Sequence, residues 1–468
     1  MHIVMFSVNP LFPDKVMGGA PKHLQNIAIH MGELGHEVSL FCTRIIGSDT
    51  SFQWHENVTI FPQLRFKQPF PQPYEIPAYD MAMALQDVGD ALKTADRFYM
   101  HDGEFLFPYA YQHIPTVVSL RDNVYPETLL GGFLSAGDKL VLISEYSRQY
   151  FLHTVGRFFP ELDDRIEVIH NGLDWDKFKP TKADKILDII LIDPTKQPIL
   201  LHPHRPEESK GIRQTIQVVD LLVNQHGISN LIALAPKWLE QQLTPDLREF
   251  YDGIERDIAD RGLTENFIFH DWIPQSLMPE YYSLGSVTLS MGNFVESFGN
   301  AVYESMGCGT PTIAARISTH RELLPDNLID KVDWGDVETT AQIAKDIIQQ
   351  GRRTSPESLT YLHQQYSIER QLSQYADIII NAENTSPLVY KLPELTEYTK
   401  YRLAPWCYVS SERGIYHDFY ANYIESGQLQ ALIDNHPQGF NILDAEKLNI
   451  AVDDMTRFYR DGYLIPLI

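Results

Sequence analysis

The sequence predicts an α/β protein with two doubly wound, mostly parallel sheets that face a cleft, followed by a small extra module. Short apolar runs alternate with amphipathic helical segments in both halves of the chain, which is the element order of parallel βαβ units. A stretch with Pro, Lys and Asp at 178–197 separates the halves, and 468 residues are too many for one core. We therefore expect Rossmann-like domains over 1–178 and 179–382, and an extra module over 388–468.

The hydrophobic periodicity sets the order of elements within the two halves. Strands are predicted at 2–8, 37–43, 97–100, 116–120, 139–143, 166–169, 198–202, 230–235, 267–270, 287–290 and 313–315. Helices are predicted at 21–34, 78–92, 146–155, 244–261 and 275–283, with a further one beginning at Ile212. The Pro- and aromatic-rich stretch 63–77 is predicted to be an irregular loop that either carries an acceptor site or only connects elements.

Charge and composition exclude some classes of partner. The net charge is −24, with 62 acidic against 38 basic residues, which argues against broad attraction to nucleic acid or anionic membranes. The three cysteines, Cys42, Cys308 and Cys407, are far apart and lack metal spacing, which fits a reducing compartment. The N-terminus has the pattern of a strand rather than a signal peptide, and no run reaches the ~20 apolar residues of a membrane helix. We expect a cytoplasmic protein without stable membrane association.

Three features of the first half are candidates for ligand binding. Gly18 and Gly19 follow the first strand, where glycines let the backbone approach a ligand, although a plain turn is equally consistent with them. The other two features are the pairs His101-Asp102 and Arg121-Asp122, each directly after an apolar strand. Open α/β sheets bind ligands at the carboxyl ends of their strands. A structural role for the histidine remains the alternative.

The second half supplies cations in the same kind of position. Arg205 and Lys210 lie in the polar loop between the strand 198–202 and the helix from Ile212. An arginine fork and a lysine point charge suit a diphosphate, whereas a solvated charged loop is the alternative. His202 and His204 are too few for a metal site.

The stretch 293–311 carries two glutamates, Glu296 and Glu304, eight residues apart. Asn300 is the expected N-cap of a helix that the glycines and Pro311 end. Eight helical residues span ~12 Å, about the distance from sugar to ribose in a nucleotide-sugar. A helix N-terminus between the two carboxylates favours an anion such as a diphosphate. A buried loop–helix junction with two surface glutamates is the alternative interpretation.

Taken together, these motifs resemble those of the retaining nucleotide-sugar glycosyltransferases of the GT-B fold, in particular glycosyltransferase family 4 with its E-x7-E signature. The resemblance covers roughly residues 1–382. It rests on four motifs in order: the Gly18-Gly19 loop, the segment from Val168 to Asp174 with Phe178 and Pro180 beyond, Arg205 with Lys210-Gly211, and Glu296-Ser297-Phe298-Gly299 to Glu304 followed by Gly309-Thr310-Pro311.

The resemblance implies a role for each matching residue. Glu296 would bind the donor sugar and Glu304 the ribose, while Arg205 and Lys210 would neutralise the leaving diphosphate. The remaining donor-binding positions implied are Gly18, Gly19, Ile273, Phe298, Gly299 and Asn300. From their positions after strands we expect a catalytic contribution from His101 and Arg121 and an acceptor contact from Asp102 and Asp122. The resemblance implies no metal, and no cofactor beyond a UDP- or GDP-linked sugar as co-substrate.

One departure from the family and the extra module leave alternatives open. Relatives often have histidine at the position of Arg121, which here would contact an anionic sugar or acceptor, or pair with Asp122.

The extra module shows a strand-like start over 401–409, helices near 418–435 and 444–460, and an apolar end, a pattern weakly similar to a winged helix. It would be a cap, a homodimer contact or a reader of a protein or peptide acceptor. The competing hypothesis for the whole chain is a catalytically silent GT-B protein that binds a nucleotide-sugar or a partner.

Overall fold

The computed structural model describes residues 1–16, 18–44, 49–66, 75–103, 108–134, 136–237 and 244–467. Most of the stretch 63–77 lies outside these ranges, and Gln63 and Leu64 end a strand. The described residues form two compact units. Unit 1 comprises Met1–Gly172, Glu369–His417 and Tyr423–Ile468; unit 2 comprises Leu173–Ile368 and Asp418–Asn422.

Unit 1 contains an eight-stranded sheet in the order β3-β4-β2-β1-β5-β6-β7-β8. All its pairings are parallel except β3 with β4. The strands are β1 His2–Pro10, β2 Glu37–Thr43, β3 Phe52–His55, β4 Val58–Leu64, β5 Arg97–His101, β6 Thr116–Leu120, β7 Lys139–Leu142 and β8 Ile166–Val168. The sequence interpretation omitted the β3–β4 hairpin.

The helices of unit 1 cover this sheet. They are α1 Gly19–Glu33, α2 Ala78–Leu92, α3 Pro126–Leu134, α4 Glu145–Thr154 and, after the chain has passed through unit 2, α11 Ile368–Ile380. Helix α11 packs against α1 and the inner strands, because Tyr375, Ala376 and Ile379 are buried in one apolar cluster with Ile3 and Ile27.

Unit 2 contains a six-stranded, fully parallel sheet in the order β11-β10-β9-β12-β13-β14. The strands are β9 Ile199–Leu201, β10 Ile232–Pro236, β11 Phe267–His270, β12 Val287–Ser290, β13 Thr312–Ala315 and β14 Asp330–Val332. The helices are α5 Ile212–Asp220, α6 Pro245–Asp260, α7 Met278–Leu284, α8 Asn300–Gly307, α9 Val337–Gln350 and α10 Pro356–Gln365. Two Rossmann-like parallel sheets confirm the predicted α/β architecture.

The C-terminal extension forms two small antiparallel sheets and three helices. One sheet pairs β15 with β19, and the other has the strand order β16-β17-β18. The elements are β15 Lys400–Leu403, β16 Cys407–Ser410, β17 Gly414–His417, β18 Asn422–Ile424, α12 Gly427–Asn435, α13 Ile442–Lys447, α14 Val452–Arg460 and β19 Leu464–Leu467. The helix predicted near 418–435 is wrong in its first half, where β18 lies. The helix predicted near 444–460 is interrupted at Asn449, whose φ is 58°.

The extension packs on α4 within unit 1. The ring of Trp406 meets that of Tyr150 edge-on at 5.4 Å, and Arg402 donates a 2.8 Å hydrogen bond to His153. Arg157 donates to the hydroxyl of Tyr459. The compact units therefore divide differently from the three predicted domains, since the extension joins unit 1 apart from Asp418–Asn422. Within the described ranges, every helix falls short of the length and apolar character that a membrane span requires.

Candidate functional site

Lys210 and Glu296 form a close ion pair in unit 2. Nζ of Lys210 lies 2.5 Å from Oε1 of Glu296, with the two side chains 17% and 23% exposed. The same ammonium group lies 3.7 Å from the centroid of the Phe294 ring. The pair joins two loops that are 86 residues apart in the chain. The structure thus brings the predicted phosphate-binding cation next to the predicted sugar-binding carboxylate, at the edge where β9 and β12 end.

Two glycines allow the two loops to approach so closely. Gly211 has a φ of 82°, and a Cβ on it would lie 2.6 Å from the backbone nitrogen of Gly292. A Cβ on Gly292 would lie 2.3 Å from the carbonyl oxygen of Ser209, and that oxygen accepts hydrogen bonds from the amides of Asn293 and Phe294. Any side chain at either glycine would separate the loops, because the atoms it would meet belong to the backbone.

Arg205, the second predicted cation, is placed differently. Its Nε lies 3.2 Å from a carboxylate oxygen of Glu207, and its side chain is 48% exposed. The hydroxyl of Tyr251 donates to the backbone carbonyl of Pro206 and fixes the neighbouring loop. An exposed ion pair of this kind contributes little to stability, so breaking the contact between Arg205 and Glu207 costs little.

Helix α8 begins four residues after Glu296. Its N-cap is Gly299, with a φ of 81°, and Asn300 is its first residue, so the prediction of Asn300 as the N-cap is wrong by one position. The side chain of Phe298 is buried and packs edge-on against the rings of Tyr303 and Tyr366. Phe298 therefore anchors the turn through its ring, and its role in donor binding stays a prediction.

Glu304 and Ile273 line one cavity of about 170 Å³. Glu304 is buried and accepts a 3.2 Å hydrogen bond from the hydroxyl of Tyr282, which lies on α7. The other walls come from the ends of β9, β10 and β11 and from α7, with these further lining residues: Pro203, Pro236, His270, Trp272, Gln275, Met278 and Tyr281. An apolar cavity with one buried carboxylate suits a flat base beside ribose hydroxyls.

His320 is a buried residue at this site that the sequence interpretation did not include. A Cβ built on Gly299 would lie 2.4 Å from Cε1 of His320, so the imidazole ring lies directly against the turn that starts α8. Its Nδ1 lies 3.2 Å from the hydroxyl of Tyr303. Burial lowers the pKa of His320 to about 4, opposed by the charge of Glu296 and reinforced by that of Lys210. The signal that could have identified His320 is its position, because it follows closely after β13, at the end of a strand of the parallel sheet.

The histidines around this site predict how stability depends on pH. Burial lowers the pKa of His202 to about 4 and that of His204 well below its usual value, in addition to His320. Their folded-state pKa values lie below the unfolded value of about 6.5, so the unfolded chain binds more protons below pH 6.5. The stabilisation is therefore complete above pH 6.5 and is lost as the pH falls towards 4.

We expect the free energy of unfolding to fall between pH 6.5 and 5, by about 2 kcal/mol for each fully buried histidine. Urea denaturation at half-unit pH steps measures this change. The variant His202→Asn keeps a polar group near Thr215, which lies 3.0 Å from Nδ1 of His202, and should show a shallower pH dependence. An unfolding free energy that is constant or rises as the pH falls through this window would contradict the assignment.

In unit 1, both ring nitrogens of His101 have partners. Nε2 lies 3.0 Å from the carbonyl oxygen of Ala20 and must donate to it, so Nδ1 of the neutral ring accepts from the hydroxyl of Tyr99 at 2.6 Å. Burial, with a contribution from Arg121, holds the pKa of His101 well below its usual value. In this structure His101 links the end of β5 to the start of α1.

Arg121 and Asp122 also have structural partners. The buried guanidinium group of Arg121 donates to the hydroxyl of Tyr375 at 2.8 Å and to the side-chain oxygen of Asn171. The carboxylate of Asp122 accepts bonds at the start of α3, from the amides of Val124 and Tyr125 and from the hydroxyl of Thr128. Each therefore bonds to other groups, instead of the Arg121–Asp122 pair offered by the sequence interpretation. Their catalytic and acceptor roles stay predictions.

The remaining candidates of unit 1 lie near the ends of β1 and β5. Asp102 has a φ of 60°, and its carboxylate accepts a 3.3 Å hydrogen bond from Asn9. Gly18 precedes α1 and has a φ of 99°. A residue with a side chain rarely adopts this φ. Gly19 begins α1, and a Cβ there would meet nothing within 4 Å. Gly18 is thus required by the turn, and Gly19 leaves open space at the helix start.

Solved structures of known proteins identify the fold. A sucrose-phosphate synthase from Thermosynechococcus elongatus is similar with a TM-score of 0.63 and 16% identity, covering 81% of this chain and 98% of the other. Anabaena HepE in complex with UDP-glucose has a TM-score of 0.61 and 19% identity, covering 81% and 99%. The lipopolysaccharide glycosyltransferase WaaG covers 81% and 100% at 14% identity and a TM-score of 0.59. The two parallel-sheet units thus have the GT-B fold.

Family models and curated sequences identify the family. The model for Glycosyltransferase Family 4 matches residues 17–177, and that for Glycosyl transferases group 1 matches residues 187–349. The chain belongs to the GT-B glycosyltransferases that these two models describe, which confirms the likeness to family 4 drawn from the motifs. Retention of configuration and the nucleotide-sugar donor stay predictions. The putative glycosyltransferase YtcC of Bacillus subtilis is 23% identical over 47% of this chain and 54% of its own length. For O-antigen chain mannosyltransferase B of Escherichia coli the identity is also 23%, over 54% and 66%. The chain thus spans between about half and two thirds of these relatives.

Proposed function

We propose that this chain transfers a sugar, with retention of configuration, from a UDP- or GDP-linked donor to a soluble acceptor. The observation that carries the proposal is the arrangement within unit 2. Lys210 pairs with Glu296 at 2.5 Å beside the start of α8, and Glu304 lines a separate cavity with Ile273. One nucleotide-sugar has chemically distinct parts to match these features. The complex of Anabaena HepE with UDP-glucose supports such a donor for a protein of this fold.

Each part of the donor meets a group of suitable chemistry. The base and ribose fit the cavity of Ile273 and Glu304, because a buried carboxylate accepts hydrogen bonds from ribose hydroxyls. The diphosphate takes Lys210 as its counter-ion, and Arg205 reaches it by leaving Glu207. Glu296, released in part from Lys210, then accepts hydrogen bonds from the sugar.

The reaction breaks the bond between the anomeric carbon and the diphosphate oxygen, and the acceptor oxygen forms its bond on the same face. The acceptor proton passes to the departing phosphate oxygen. Negative charge develops on that oxygen, and a cation and helix N–H groups placed in advance stabilise it. Lys210 and the start of α8 supply these groups in unit 2. We assign no enzyme nucleophile.

Nucleotide binding tests the first half of this proposal. In a thermal-shift screen of UDP, GDP and their sugar derivatives, the ligands that carry one of the two bases should raise the melting temperature. A ligand at 100 times its Kd stabilises the protein by about 2.7 kcal/mol. The variant Glu304→Gln should lose most of this shift, because a neutral amide accepts ribose hydroxyls less strongly. Glu255→Gln, on the exposed face of α6, is the matched control and should retain it.

Donor hydrolysis without an acceptor tests the second half. A glycosyltransferase releases sugar slowly from its donor into water, whereas a silent nucleotide-sugar-binding protein releases none. A normal thermal shift without any sugar release would favour the silent protein. The absence of any shift across the screen would reject the donor site itself.

We also propose a cytoplasmic location. The three cysteines, Cys42, Cys308 and Cys407, are all buried, and within the described residues they form no disulfide. Burial raises the pKa of both Cys42 and Cys308 to about 12. Buried thiols of this kind are inert and persist in a reducing compartment.

A further inference from the structure

The C-terminal extension contributes one buried carboxylate to unit 2. Asp418 follows β17 in the turn before β18, and the segment Asp418–Asn422 belongs to unit 2. Its two oxygens accept 2.8 Å hydrogen bonds from the two terminal nitrogens of Arg321, and one of them also accepts a 3.3 Å bond from the amide of Ser318. The side chains of Asp418 and Arg321 are 0% and 17% exposed. A bidentate, buried pair of this kind fixes geometry strongly.

The pair holds a short turn in an unfavourable conformation. Residues Ser318–Arg321 form a single 3-10 turn after β13. Ser318 has a φ of 43°, a value uncommon for a residue with a side chain. Such conformations persist only where the surroundings impose them. Asp418 imposes this one from both ends, because it accepts from the Ser318 amide and from the Arg321 guanidinium group.

That turn carries His320, which supports the start of α8. The imidazole ring lies against Gly299, the N-cap of α8, and bonds with the hydroxyl of Tyr303. Glu296, three residues before Gly299, acts on His320 electrostatically. A displacement of the turn would therefore move His320, the N-cap and the loop of Glu296 together.

We propose that Asp418 is a positioning residue through which the extension sets the geometry of the sugar end of the donor site. It acts through Arg321 and Ser318 on His320, and thereby on Gly299 and Glu296. The proposal rests on the donor site of the proposed function. Asp418 should leave the binding of the nucleotide unaffected, because Glu304 and Ile273 line a separate cavity that the turn Ser318–Arg321 does not line.

The test compares a nucleotide with its sugar derivative on the full chain. We expect Asp418→Asn to weaken the binding of UDP-glucose or GDP-mannose by about tenfold, since a misplacement of about 1 Å has effects of up to about 10²-fold. The affinity for UDP or GDP alone should change less than about twofold, because the Glu304 cavity is retained. Isothermal titration measures all four ligands. Asp454→Asn, which breaks an exposed ion pair of the extension with Arg457, is the matched control.

A second variant controls for the possibility that Asp418→Asn weakens binding by unfolding the protein. The double substitution Arg321→Met with Asp418→Leu removes both buried charges, which proteins often tolerate without loss of stability. It should melt near the wild-type temperature and show the same selective loss of sugar binding. Hydrogen exchange at 296–301 should be faster than in the wild type, because the turn that supports this segment is released.

The outcomes separate the two proposals. Wild-type binding of both nucleotide and nucleotide-sugar by the double variant, with unchanged exchange at 296–301, would show that Asp418 only stabilises the fold. If the wild-type chain binds none of the four ligands, the proposed function fails. Exchange at 296–301 then decides the positioning role alone, and unchanged exchange in the double variant would overturn it.

Discussion

Replacement of Lys210 by alanine should lower the kcat of sugar transfer by about 10²- to 10³-fold, the usual effect of removing one group that stabilises charge in the transition state. The ammonium group lies 2.5 Å from the carboxylate of Glu296, which precedes the start of α8 by four residues. Steady-state kinetics with the donor identified by thermal shift would measure the loss. The KM for the donor should rise less than kcat falls, because the charge on the leaving oxygen is greatest in the transition state.

The control for this variant is Lys196→Ala. Lys196 forms an exposed ion pair with Asp193 at 2.8 Å, so its replacement removes an equal charge from the same unit. It should leave kcat unchanged. Equal losses in both variants would indicate a general effect of charge, and full activity of Lys210→Ala would reject the assignment of the leaving-group site.

Replacement of Gly299 by alanine should lower the free energy of unfolding by about 2–5 kcal/mol, from a backbone cost and a clash. The φ of 81° alone costs a residue with a side chain about 1–2 kcal/mol. In addition, the new Cβ would lie 2.4 Å and 2.8 Å from Cε1 and Nε2 of His320, which cannot move without breaking its contact with Tyr303. Overpacking of this kind adds about 1–3 kcal/mol. Urea denaturation would measure the total.

Gly351 separates these two costs. It ends α9 with a φ of 59°, and a Cβ there would meet nothing within 4 Å. Gly351→Ala therefore reports the backbone cost alone, and the excess in Gly299→Ala is the clash with His320. The double substitution Gly299→Ala with His320→Ala should recover part of that excess. If Gly299→Ala and Gly351→Ala cost the same, His320 does not confine the start of α8.

Elements with strong, local hydrophobic patterns were predictable from the sequence. Strands 37–43, 116–120, 267–270 and 287–290 have the predicted bounds, because each is an apolar run buried in a parallel sheet. The missed β3 strand, Phe52–His55, is an edge strand with three half-buried residues and one exposed residue, so its hydrophobic pattern is weak. In the extension, the segment 418–426 was assigned to a helix, although its tertiary partners place it in a turn and in β18.

The candidate site was predictable in its residues but not in its pairings. The motifs identified Lys210 and Glu296 separately, and nothing in the sequence required that they meet at 2.5 Å across 86 residues. His320 and Asp418 were missed for a related reason. Each acts through contacts with distant parts of the chain, and neither belongs to a pattern with helical or strand periodicity. Arg121 is the opposite case. Its position after a strand made it a candidate for ligand binding, and in the structure its guanidinium group donates hydrogen bonds to Tyr375 and Asn171.

The meeting of Gly211 with Gly292 has an evolutionary consequence. A side chain at either position would strike the backbone of the other loop at 2.6 Å or less, and neither neighbour can become smaller to make room. A smaller side chain at the facing position cannot relieve the clash, and a substitution at either glycine pushes the loop of Lys210 away from that of Glu296. Among descendants of this sequence, both glycines should persist as long as the two loops do, and their joint loss should mark copies that have been released from selection on this site.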